Sequence, residues 1–96
     1  MGGVSIINSL ANIPITYRLV IANVFADCSL TLAGTPDAGR EIHVIIHNTS
    51  DSDIAVTLPN SGNYVNTLDS VFSITAKSYA EINFISDGGI IYIKYI

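Results

Sequence analysis

Apolar and polar residues alternate with a period of two along most of this chain, in short runs broken by Gly, Pro, Asn, Asp and Ser. That period turns successive side chains to opposite faces of a strand, so each run predicts a half-buried β-strand rather than a helix. The clearest case is residues 40–62, REIHVIIHNTSDSDIAVTLPNSG. Ile42, Val44 and Ile46 share one face, and Glu41, His43, Ile45 and His47 share the other. The polar stretch from Asn48 to Asp53 offers Asx and Ser side chains that bond back to local backbone and close a turn. A second run then sets Ile54, Val56 and Leu58 on its inner face, and Pro59, which cannot donate to a ladder, ends it. The pattern predicts a β-hairpin with a six-residue apolar face that nucleates the core.

The remaining runs fall on either side. Residues 15–22 alternate Ile15, Tyr17, Leu19 and Ile21 with Thr16, Arg18 and Val20, and residues 28–33 place Leu30 and Leu32 between Ser29, Thr31 and Ala33. Residues 71–75 carry Phe72 and Ile74 inward, and residues 79–86 carry Ala80, Ile82 and Phe84. Asp87-Gly88-Gly89 then signals a tight hairpin into the closing run IIYIKYI, because glycine reaches positive φ without steric cost. This last run is apolar or aromatic on both faces apart from Lys94, so it needs cover on both sides. Residues 1–14 sustain no period and are punctuated by Gly2, Gly3, Asn8, Asn12 and Pro14; they read as an extended arm with apolar points at Ile6, Ile7 and Leu10. About seven short strands at this spacing predict an all-β domain over residues 15–96, an antiparallel, jelly-roll-like β-sandwich.

Composition changes the picture at one point. Hydrophobic residues make up 49% of the 96 and charged residues 12%, against about 25% charged in ordinary soluble domains. A single small domain cannot hide half its residues from water unaided, so part of the apolar area is expected to meet another chain. A spanning helix needs ~20 apolar residues, and the uncharged stretches 1–17 and 54–68 are interrupted by Asn, Ser and Pro. The first residues lack a basic n-region, which argues against a cleaved signal peptide. The net charge is −4, with Arg18, Arg40, Lys77 and Lys94 scattered. That is no footprint for a phosphate backbone, and nucleic acid is not an expected partner.

Candidate chemistry is sparse. His43 and His47 would share a metal ion on a helix, but on a strand they stand ~13 Å apart at about 3.3 Å per residue. Asp51 and Asp53, with Asn48, could offer oxygens to Ca²⁺, yet turn formation accounts for all three. No nucleophile elbow, phosphate loop or convergent carboxylate pair is present. Cys28, the single cysteine, excludes an internal disulfide and suits a buried, inert thiol. No catalytic, cofactor-binding or metal residues are assigned. Of the five tyrosines, Tyr64 sits in a polar loop, where an apolar face with a polar tip could meet a sugar ring.

The segments EIHVIIHNTS, DIAVTLPNSG and YAEINFISDGGIIYIKYI resemble the small β-domains of fibre and decoration proteins of tailed bacteriophages. The shared pattern is a strand ending in Asn-Thr-Ser, a return strand ending in Leu-Pro, and a last hairpin through Asp-Gly-Gly. The resemblance implies a non-enzymatic virion protein, a head fibre or fibre-like subunit made in the host cytoplasm and assembled as a homodimer or homotrimer. The arm, through Ile6, Ile7 and Leu10, would attach it to the capsid or another virion protein. Ile45, Ile90, Tyr92 and Ile96 are the expected oligomer contacts. The alternative reading is a carbohydrate- or receptor-binding module at a host surface, with Tyr64 making the contact to a glycan.

Overall fold

The computed structural model describes residues 3–66 and 70–95. Among these residues the chain is all-β, without a helix: β1 (Val4–Ile7), β2 (Leu19–Val24), β3 (Cys28–Ser29), β4 (Glu41–Asn48), β5 (Ile54–Thr57), β6 (Tyr64–Asn66), β7 (Val71–Ile74), β8 (Tyr79–Ser86) and β9 (Ile91–Tyr95). They form a six-stranded sheet, β1-β2-β4-β8-β9-β6, and a three-stranded sheet, β3-β5-β7. The apolar faces of both sheets close on a single core that includes Val20, Ile42, Val44, Ile46, Val56, Ile82 and Phe84. Each such side chain withdrawn from water contributes about 1.5–3 kcal/mol.

The pairing departs from the antiparallel expectation. β1–β2, β2–β4, β3–β5 and β6–β9 are parallel, while β4–β8, β5–β7 and β8–β9 are antiparallel. Parallel neighbours cannot be joined by a tight turn; here the chain reaches β4 from β2, and β5 from β3, by passing through the other sheet. It runs from β2 into β3 and from β4 into β5. Residues 10–13 lie beside 30–33, where Ile13 bridges Leu32 and the Leu10 carbonyl accepts from Thr31 N–H at 3.0 Å. The result is a short solenoid-like coil rather than a jelly roll. β7 and β8 then run back antiparallel along β5 and β4 and end the coil.

The predicted hairpin is therefore a corner. β4 and β5 lie in different sheets, and residues 48–53 carry the chain across the core between them. Alternation specifies which face of a strand turns inward but not which strand lies beside it, and both arrangements bury Ile42, Val44, Ile46, Ile54, Val56 and Leu58. The corner is pinned by Asn48, which is fully buried. Its Nδ2 donates to the carbonyls of Ser52 at 2.8 Å, Ile74 at 3.0 Å and Thr75 at 3.2 Å, and its Oδ1 accepts from Ser50 N–H at 2.9 Å and Ser50 Oγ at 2.7 Å. A buried amide satisfied on both atoms locks the corner of β4–β5 to that of β7–β8.

The first residues are part of the same fold. β1 pairs with β2 along its whole length, and Leu10 and Ile13 are core residues at 1% and 0% exposure. Residues 3–14 are docked on their own chain. The strand expected at residues 15–22 begins later, at Leu19, because Pro14 and the bends at 15–16 occupy its predicted start. The closing hairpin forms as expected. β8 and β9 pair antiparallel through a turn in which Asp87 Oδ1 accepts from Gly89 N–H at 2.9 Å and Ile90 N–H at 2.6 Å. Gly88 takes a positive φ of 98° there, and a Cβ at that position would stand 3.3 Å from Ala38 Cβ.

Candidate interaction face

Burial alternates strictly along β2 and β4, and the second set of positions faces away from the core. Strand register arranges these outward residues in rows across the six-stranded sheet. One row runs Val4, Leu19, His43, Asn83, Lys94, and the next Ile6, Ile21, Ile45, Glu81. Asn23, His47 and Tyr79 form a third. Glu41, Ile85, Tyr92 and Val65 form the fourth. Nine of these sixteen positions are apolar or aromatic, and among the described residues no other element covers this face of the sheet. Ile6 and Tyr79 are its most open apolar or aromatic side chains, at 71% and 61% exposure. Leu19, Ile21, Ile45 and Ile85 are half-buried, shielded by one another and by their polar neighbours.

The polar groups of this face bond to one another. His43 Nε2 meets Glu81 Oε1 at 2.8 Å, His47 Nδ1 meets Asn23 Oδ1 at 3.1 Å, and Asn83 Nδ2 donates to Glu41 Oε1 at 2.8 Å. Two shallow depressions lie on it. One of about 380 Å³ is lined by Arg18, Leu19, Glu41, His43 and Asn83; the other, about 390 Å³, is lined by Ile21, Ile45, His47, Tyr79 and Glu81. The carboxylates of Glu41 and Glu81 are offset by Lys94 within the face and Arg18 at its rim. Asp27, Asp37, Asp51, Asp53 and Asp87 are exposed in corners and turns outside these rows. The described aspartates are thus kept off the apolar face.

The expected contact residues divide. Ile45 and Tyr92 stand on this face, and Ile6 joins it from the edge strand. Ile90 is half-buried in the turn before β9, and Ile96 lies outside the described residues. Ile7 turns inward against the core, and Leu10 is enclosed in it. Tyr64 also packs against the core, and its hydroxyl accepts from Leu32 N–H at 3.2 Å, so its polar tip is engaged internally. Sequence reasoning missed Leu19, Ile21, Ile85, Tyr79 and Val65. The signal for the first two was the unbroken LVI of residues 19–21, which puts apolar groups on both faces of β2.

Among the described residues no group of three or more His, Cys, Asp and Glu could hold a metal ion. Asp51 pairs with Lys77 at 3.4 Å, and Asp53 Oδ1 accepts from Ala76 N–H at 3.1 Å. Burial, with the nearby Asp27 carboxylate, pushes the Cys28 thiol above its ordinary range, which disfavours the reactive thiolate. No described helix is long and apolar enough to cross a membrane. No family model, no curated protein and no solved structure matches this chain.

Proposed function

We propose that this chain is a non-enzymatic structural subunit that assembles with copies of itself, and, following the resemblance to phage fibre and decoration domains, that it does so in a virion. The observation that carries the assembly reading is the uncovered outer face of the six-stranded sheet. Five strand spacings of ~4.8 Å and strands of about six residues at ~3.3 Å each give roughly 500 Å² in plan, and side-chain relief raises this toward the ~800 Å² per partner of a standard interface. A second copy suits the face electrostatically, because the acids that give the chain its charge of −4 stand mostly in corners and turns. Two such faces can meet without setting like charges together.

Contact with a capsid or other virion protein would come through Val4 and Ile6, the exposed side chains of β1, since Ile7 and Leu10 serve the core. The test is the molecular mass in solution with and without Ile45→Glu, a charge placed mid-face. An assembled wild type and a folded, monomeric variant support the reading. A wild-type monomer of 10.2 kDa at micromolar concentration overturns it.

A further inference from the structure

Resting on that reading, we infer that the assembly is a two-fold dimer of apposed outer sheet faces, and that His47 makes it separate in acid. A face meeting its own copy is isologous and closes with two chains, which selects the dimer over the trimer. The two histidines of the face have different surroundings. His43 faces Glu81 at 2.8 Å, with Glu41 in its own depression, Arg18 at the rim and Lys94 one strand beyond Asn83. A proton on His43 is therefore met by a carboxylate.

His47 has no such partner. On the β2 side its Nδ1 meets the neutral Asn23 amide, and across β8 it stands opposite Tyr79. The lining of its depression includes Ile21, Ile45 and Glu81, and Glu81 already spends Oε1 on His43. At the adjoining corner Lys77, whose Nζ donates to the Thr49 carbonyl at 2.8 Å, already pairs with the Asp51 carboxylate at 3.4 Å. In an exposed face, water solvates a protonated His47. Against a second copy's Ile21, Ile45 and Tyr79 the charge would be buried beside apolar groups, which is strongly unfavourable. Histidine is the side chain that changes charge between pH 5 and 8. Association therefore selects neutral His47 and is lost as pH falls. Each proton excluded on association weakens it by at most about tenfold per pH unit, and a dimer buries two such side chains.

The experiment is sedimentation velocity of wild type, His47→Gln and Glu81→Gln at pH 7.5 and pH 5.5, with circular dichroism confirming the fold at both. The readout is the ratio of the two dissociation constants for each protein. Wild type should weaken more than about tenfold between the two conditions. His47→Gln, neutral at every pH and able to keep the Asn23 bond, should bring the ratio close to one. Glu81→Gln, which strips His43 of its carboxylate, should steepen it. A dimer insensitive to pH, or a His47→Gln dimer that dissociates in acid as wild type does, overturns the proposal while leaving the assembly reading in place. A monomer at both pH values overturns the assembly reading and this proposal with it.

Discussion

Ile45 and Ile46 are adjacent on β4 and meet opposite fates. Ile46 is fully enclosed, while Ile45 is half-buried on a face that no other described element covers. The inner face of β2, β4 and β8 is apolar almost throughout, and its polar members stand at strand ends. These are Asn48, bonded to three carbonyls, and Ser86, whose Oγ donates to the Pro36 carbonyl at 2.7 Å. The outer face mixes Leu19, Ile21, Ile45 and Ile85 with polar groups that satisfy one another across strands. A permanent core excludes such groups because each needs a partner after burial. A face that is sometimes wet and sometimes covered needs them, and pairing them within the face lets them be covered without loss. The inner face has the character of a core and the outer face that of an interface.

The largest effects should come from the inner side. Ile46→Ala is expected to cost about 2–5 kcal/mol of unfolding free energy by urea titration, whereas Ile45→Ala in a monomeric background should cost under about 1.5 kcal/mol. Comparable losses from the two would erase the distinction between the faces. Leu10→Ala belongs with the first group, at about 2–5 kcal/mol. Removal of residues 3–13 should leave a chain without cooperative thermal unfolding. If that truncated chain melted normally, the first residues would be an appendage rather than part of the coil.

Asn48→Ala comes next. It orphans the enclosed carbonyls and the Ser50 donors at the corner, and should lower stability by about 2–3 kcal/mol; Asn48→Asp, which cannot donate to the Ile74 and Thr75 carbonyls, should recover little of it. The smallest effect concerns Asp87. Its carboxyl is held below the usual range by the N–H groups of Ile90 and Gly89, so its ionised form favours the folded turn. That contribution is present above the ordinary carboxylate range and is lost as pH falls through the lowered value. Asp87→Asn should therefore melt below wild type at neutral pH and converge with it in acid.

The alternation of the sequence was enough to identify β4, β5 and β8 with their inward sets, and β9 with the Asp87-Gly88-Gly89 turn before it, because each of these depends on local geometry. It could not show that β4 and β5 part into two sheets. A polar hexapeptide closes a hairpin or turns a corner equally well, and the difference lies in the carbonyls of β7 and β8 that Asn48 finds far along the chain. Residues 3–14 lacked a period because they contribute one edge strand and two isolated core side chains, Leu10 and Ile13, rather than a long ladder. The outer face was legible at Ile45, an apolar residue among Glu41, His43 and His47, and at Tyr92, in a closing run apolar on both faces. Its extent depends on the parallel β1–β2–β4 register, which joins Ile6, Ile21 and Ile45 in one row although they are far apart in sequence.

The most direct test is the solution mass of wild type and Ile45→Glu by light scattering at neutral pH, with circular dichroism on both. Assembly through the outer face predicts a wild-type mass of twice 10.2 kDa and a folded variant of half that mass. A wild-type monomer, or an Ile45→Glu chain that stays dimeric, would contradict it.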